Sequence, residues 1–214
     1  MIHVGTVIPQ IHHFMSRLRD LLMRACNQRS IKLTVSTRKD LDLMLYFLEK
    51  AKTGIDMNLL VFRKLVKVYR SKSCPAGMWG YSSDGYAWRW CIPEDLKFRA
   101  SNNLLEHLGS IITPWIDMHL GRLQKGDCFL SMPDSTTSEG SSNKSKFSKL
   151  GEDPVQAVVR SEVCRDDAKW KLGFGVKDYS QWFPGDQSEV ADALSRDNDR
   201  TYEELKNILK IFCP

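Results

Sequence analysis

Three carboxylates, Glu106, Asp134 and Asp192, fall where the sequence places the edges of three different elements. Asp134 follows the apolar, strand-like run 128–132 across Pro133. Glu106 lies early in a helical stretch, off the Leu104–Leu108–Ile111 stripe. Asp192 opens a late helical turn, after the aromatic run 179–183 and the breaker pair Pro184-Gly185. Acidic side chains gathered at one end of a sheet suit magnesium, a hard cation that takes oxygen ligands. Two such ions roughly 3.5–4 Å apart activate a water and stabilise a leaving oxygen, which is the chemistry of phosphodiester hydrolysis. Each residue also has a plainer reading. An Asp after a strand commonly caps a turn, and an Asp in a first helical turn offsets the helix dipole.

The elements that would position them can be read from periodicity. Residues 9–28 carry Ile11, Phe14, Leu18, Leu21, Leu22 and Cys26 at spacings of three and four, the stripe of an amphipathic helix. A second helix is expected after Thr37, where Thr37 and Asp40 have capping-box spacing, with Leu41, Met44, Leu45 and Leu48 facing inward. It should end near Thr53-Gly54. From about Leu65 the period falls to two, and three strands are expected as a meander up to Ile92. A helix at 102–115, a strand at 128–132, a helix at 153–170, a strand at 173–183 and helices at 187–196 and 202–212 complete the order. Residues 135–148 hold six serines and read as a loop. Alternation of this kind implies an α/β fold, one mixed sheet with helices on its faces.

Bulk composition narrows the classes. The chain has 214 residues, 42% hydrophobic and 27% charged, enough to bury a core. No apolar run approaches the roughly 18 residues that span a bilayer, so no membrane partner is expected. Six scattered cysteines without a CxxC pair argue for a reduced, intracellular chain in cytoplasm or nucleus. The net charge of +5 is uneven: residues 1–70 hold 13 Lys and Arg against 5 Asp and Glu, and the remainder 18 against 21. A basic front half suits contact with phosphates, and equally a solvated pair of basic helices.

Four stretches in order, Ser71-Lys72-Ser73-Cys74-Pro75-Ala76-Gly77, Asn103-Leu104-Leu105-Glu106, Met132-Pro133-Asp134-Ser135 and Val190-Ala191-Asp192-Ala193-Leu194-Ser195-Arg196, carry a resemblance. The series resembles the ribonuclease H domain joined to reverse transcriptases of gypsy-like and DIRS-like retrotransposons. The ADALSR run is its most specific element. The resemblance covers nearly the whole chain and implies a helical thumb- or connection-like segment at 1–62, a ribonuclease H-like domain at 63–200 and a C-terminal helix at 201–214. It implies Glu106, Asp134 and Asp192 as catalytic ligands for Mg2+ or Mn2+, an RNA–DNA hybrid or other nucleic acid as partner, and a polymerase palm and fingers segment in a parent polyprotein. Arg17, Arg24 and Arg89 are the expected nucleic-acid contacts. The chain departs from the pattern at Lys72, where the family has its first Asp. An ammonium there removes a ligand and adds repulsion toward cations, so metal binding is expected to weaken and cleavage to be impaired. The alternative is a non-catalytic nucleic-acid-binding or structural remnant in which Lys72 pairs with Asp134 and Glu106.

Other features weigh less. No YxDD or FxDD polymerase motif occurs, and Asp166-Asp167 read as a solvated helix face. His12 and His13 are adjacent on a helix and point roughly 100° apart, which disfavours a shared metal. His107 is expected to meet solvent or phosphate. Gly173-Phe174-Gly175 is too short for a dinucleotide loop. Trp79, Tyr81, Trp88 and Trp90 either cover the sheet or stack on bases.

Overall fold

The computed structural model describes residues 11–26, 28, 30–55, 61, 63–95, 97, 100–134, 153–184, 190 and 201–212, with backbone alone for 12, 13, 16, 202, 208, 209, 211 and 212. In chain order its elements are α1 (His12–Ala25), α2 (Val35–Lys52), β1 (Lys67–Cys74), β2 (Gly77–Ser82), β3 (Ala87–Cys91), α3 (Asn102–His119), β4 (Cys128–Pro133), α4 (Pro154–Phe174), β5 (Lys177–Ser180) and α5 (Tyr202–Phe212). They belong to two units, one of residues 1–62 and 144–176, the other of residues 63–143 and 177–214. The helix expected at 153–170 within the sheet domain is therefore α4 of the helical unit. The expected loop at 135–148 and the helix at 187–196, Val190 apart, lie outside the described residues.

In the helical unit, Ile11 and Phe14 of the α1 segment, Leu43 and Phe47 of α2, and Cys164 and Ala168 of α4 form one apolar core. Beside it Asp40 is wholly buried. Arg17 Nη1 donates to Asp40 Oδ2 at 2.8 Å and Arg165 Nε donates to Asp40 Oδ1 at 2.8 Å. One carboxylate thus ties three helices, and both guanidiniums also donate to Ser36 Oγ. This network corrects two expectations. The helix starts at Val35, capped by Thr34, whose Oγ1 accepts from Thr37 N at 3.2 Å, so Thr37 and Asp40 lie inside it. Its buried face is Thr37, Asp40, Leu43 and Phe47, while Leu41, Leu45 and Leu48 are exposed. Neighbouring helical positions are roughly 100° apart, so turning Asp40 inward turns Leu41 outward. Leu22 and Cys26, expected on the inner face of α1, are likewise exposed.

Helix α4 begins with Pro154 after Asp153, whose carboxylate accepts from Val155 N, and ends at Gly175 in the left-handed region with φ 65°. The Gly173-Phe174-Gly175 run is therefore a helix terminus. Cys26, Cys74, Cys91, Cys128 and Cys164 are all thiols. Burial pushes the Cys164 thiol up to about 12, which keeps it protonated and unreactive.

In the sheet unit, β1 buries Tyr69, Ser71 and Ser73 and leaves the alternate positions half-buried, the period of two expected of a strand. The sheet order is β3-β2-β1-β4-β5. The β1–β2 and β2–β3 pairs are antiparallel, and β1–β4 and β4–β5 are parallel. It is a mixed α/β architecture with the parallel strands on one side. Helix α3 packs on β1 and β2 and connects β3 to β4. Its contact face on the sheet is set by small residues: Gly80 opposes Thr113, and Gly109 lies over Ser71. The buried pair Tyr69–Phe129, edge to face at 5.2 Å, fills the same layer. On the other face Trp79 and Tyr81 pack with Val190 and Leu205, so these two aromatics cover the sheet.

The close layer contact makes Gly80 a sensitive position. A Cβ there would lie 2.8 Å from Trp88 Nε1 and 3.2 Å from Arg70 O, and closer still to Thr113 Oγ1. It would break the bond that Trp88 Nε1 donates to Thr113 Oγ1 at 3.1 Å. Gly80→Ala is expected to cost roughly 1–3 kcal/mol, as overpacking does. The urea midpoint of the sheet unit reads this, and an unchanged midpoint would refute it.

Candidate functional site at the carboxyl ends of the parallel strands

Open sheets of parallel strands present ligand sites beyond the strands' carboxyl ends. The β1–β4 register aligns Lys67 with Phe129 and continues to Ser71 opposite Pro133, so the next pair in line is Lys72 and Asp134. Both side chains project from the same sheet face, and Lys72 Nζ lies 3.8 Å from Asp134 Oδ2. Their side chains are 20% and 16% exposed, so the pair lines a rim open to solvent. At that distance the contact is one of charge rather than a direct hydrogen bond. Two unit charges about 4 Å apart interact by about 4 kcal/mol at an effective dielectric near 20, before the cost of desolvation.

Glu106 is held from the other layer. It is 8% exposed on the second turn of α3, and its Oε1 accepts from Asn102 Nδ2 at 2.8 Å. Ser73 Oγ in turn bonds Asn102 Oδ1 at 3.2 Å. This relay anchors Glu106 to β1 one residue beyond Lys72. Asp192 lies outside the described residues. Val190, two positions earlier, packs on Trp79 and Tyr81, the cross-strand partners of Lys72 and Arg70.

The rim is completed by the segment after β5. Gln181 N donates to Ser131 O and Phe183 N to Pro133 O, both at 3.0 Å, which continues the β5 pairing past the strand. Trp182 Nε1 donates to Asp134 O at 3.0 Å, and the residue is 43% exposed. The Arg70 guanidinium lies 5.0 Å from the Phe183 ring and 5.7 Å from the Tyr81 ring, a cation held against two aromatic faces. Sequence reasoning did not single out Arg70, Trp182 or Phe183. Alternation along β1 could have found Arg70 on the Lys72 face.

The residues present do not fit a two-cation site. An ammonium stands against the Asp134 carboxylate, where a divalent ion would have to share that oxygen with a like charge. Among the described residues no three His, Cys, Asp or Glu side chains are grouped to hold a metal.

The remaining expected residues are scattered. Arg17 is committed to Asp40, Ser36 and Ser161. Arg24 is exposed in the last turn of α1, and Arg89 is exposed on the edge strand β3 beside Trp90. His107, expected at solvent or phosphate, is buried in α3 because its turn faces the sheet. Asp166 is exposed, whereas Asp167 is half-buried and accepts from Lys171 at 2.7 Å. The side chains of His12 and His13 lie outside the description.

A buried network at the other end of β1 was not legible. Lys67 Nζ donates to Asp117 Oδ2 at 2.5 Å and to Asp84 Oδ2 at 2.8 Å, and Tyr69 OH donates to Asp117 Oδ2 at 2.7 Å. It joins the end of α3 to the start of β1 and is structural.

Comparison with protein-family models, with curated proteins and with solved structures gives no match. No helix among the described residues is long and apolar enough to cross a membrane.

Proposed function

We propose that the chain is a ribonuclease H-like domain with a preceding helical segment, from the C-terminal part of a retrotransposon reverse transcriptase polyprotein, in which hybrid cleavage has been lost. Its ancestral substrate is the RNA strand of an RNA–DNA hybrid, recognised through phosphates and 2′-hydroxyls of an A-like helix. The observation that carries the reading is the Lys72–Asp134 contact of 3.8 Å at the ends of adjacent parallel strands. The resemblance puts two metal ligands at these positions, and their juxtaposition supports it. The charge on Lys72 favours the non-catalytic form, since an internal ammonium takes over the neutralisation of Asp134. Glu106 on the first helix of the sheet unit is consistent with the same layout. Where metal is bound in such a domain it supplies the activated water. Here the chain's own residues bind and orient nucleic acid only.

Lys72→Asp tests the reading. The native chain is expected to leave a labelled hybrid uncut in magnesium, and the variant to cut it, with a gain on the order of 100-fold, the scale on which supporting groups tune a metal site. Equal cleavage by both chains would refute the loss of activity. A folded variant that neither cuts nor gains magnesium-dependent thermal stabilisation would refute the lineage.

A further inference from the structure

Among the described residues, Arg70 is the cation of β1 that meets no acceptor. Lys67 is bonded to Asp117 and Asp84 and Lys72 faces Asp134, whereas Arg70 Nε is buried and unbonded. The guanidinium lies instead against two aromatic rings, Phe183 at 5.0 Å and Tyr81 at 5.7 Å, one from the segment after β5 and one from β2. Of its nitrogens Nε alone is both buried and unbonded, and the residue as a whole is half-buried, so the terminal Nη1 and Nη2 keep an edge toward solvent. The carboxylate that follows in the register, Asp134, lies two positions past Met132, the β4 partner of Arg70, and faces Lys72.

A half-buried cation without an acceptor weakens a fold, and a buried donor left unbonded adds to that cost. The two rings offset part of it, but an apolar side chain would fill the same place without any. Rings against a guanidinium have a second consequence. Its donors lie in the plane of the group, so flanking rings restrict its rotation and leave the outer edge to bond an oxyanion at two points.

We propose that Arg70, braced by Phe183 and Tyr81, is a metal-independent seat for one phosphate group, held through Nη1 and Nη2. The residue serves the ligand rather than the fold. The source of the phosphate, a backbone phosphodiester, rests on the nucleic-acid reading above, and the seat goes beyond that reading by giving a contact to a residue outside the carboxylate set.

Thermal unfolding of the full chain in chelator, with inorganic phosphate exchanged for chloride at constant ionic strength, is the test. Tryptophan fluorescence follows it, because every indole but Trp170 belongs to the sheet unit. In chloride, Arg70→Met is expected to melt no lower than the native chain, which a structural role for the guanidinium would not allow. Phosphate at roughly ten times its dissociation constant should raise the folded-to-unfolded ratio of the native chain roughly tenfold. Its general exclusion from protein surfaces stabilises both chains alike, so the difference between them is the readout. Arg70→Lys keeps the charge but not the fork and should keep part of the response. An Arg70→Met chain that melts well below native in chloride, or that answers phosphate as the native chain does, would overturn the proposal. Anisotropy of a labelled RNA–DNA hybrid then identifies the source. Affinity that falls several-fold in Arg70→Met, with the salt dependence flattened by about one phosphate contact, supports a backbone phosphodiester. Hybrid affinity indifferent to Arg70 would overturn that source and assign the seat to a free phosphate ester. Neither result bears on the lineage, which the magnesium-dependent cleavage of Lys72→Asp decides by itself.

Discussion

Asp40→Ala is expected to lose about 3–5 kcal/mol, enough to unfold the helical unit in whole or in large part. The carboxylate is wholly buried and bonded to guanidiniums from two other helices, Arg17 and Arg165. Its removal strands the Arg165 guanidinium, itself almost fully buried, with Glu162 and Ser36 as its remaining partners among the described residues. An uncompensated buried charge costs far more than the pair contributes in the intact chain. Asp40→Asn keeps the shape but only one of the two acceptor oxygens, turns an NH2 donor toward the other guanidinium and removes the charge, and should fall between native and Ala. Urea denaturation followed by helical circular dichroism measures this. A loss below about 1 kcal/mol for Asp40→Ala would mean that the apolar core alone holds the three helices.

The sheet unit is expected to lose stability steeply above pH 10. Lys67 is lowered by its burial, but hydrogen bonds to Asp117 and Asp84 outweigh this and raise it above its ordinary 10.5. Burial, then the hydrogen bond to Asp117, raises Tyr69 far above its ordinary 10.0. Both groups keep in the folded state a proton that the unfolded chain releases. Their contribution is complete below pH 10 and is lost as pH rises, by at most about 1.4 kcal/mol per pH unit for each group. Asp84 runs the other way: burial opposes its ionisation, but the hydrogen bonds from Lys67 and Ser82 lower it below its ordinary 3.8. That stability is present above about pH 4 and fades on acidification. Lys67→Met should halve the alkaline slope. It should also cost about 3–5 kcal/mol at neutral pH, because Asp117 stays buried with the Tyr69 hydroxyl as its one remaining side-chain donor among the described residues. Melting temperature against pH for both chains is the measurement. A flat profile between pH 9 and 11 would refute the assignment.

Much of the sheet was legible because its alternation is local. The stretch from Leu65 to Ile92 carries the period of two and 128–132 is an apolar run, and the strands lie there, β1 running on to Cys74 and so taking Lys72 into the sheet. The buried face of α2 was not legible. Apolar spacing favours Leu41, Met44, Leu45 and Leu48; Met44 packs against the core, and the structure exposes the other three because Asp40 answers arginines 23 and 125 residues away. Capping spacing misled for a related reason: Thr37 has the composition of a cap, but Thr34 does the capping.

At the candidate site the division is similar. Residue types alone marked Glu106 and Asp134, because an acidic group at an element's edge is visible in a linear string, whereas Lys72 was marked only by the resemblance, as the departure from its pattern. Only the parallel register of β1 and β4 puts Lys72 against the Asp134 carboxylate, and only the β5 extension brings Trp182 to the backbone carbonyl of that residue. The physical reason is range. Periodicity, caps and turns follow from neighbours a few positions apart, whereas the partner of a buried or rim charge is chosen by whichever distant segment the sheet or helix packing delivers.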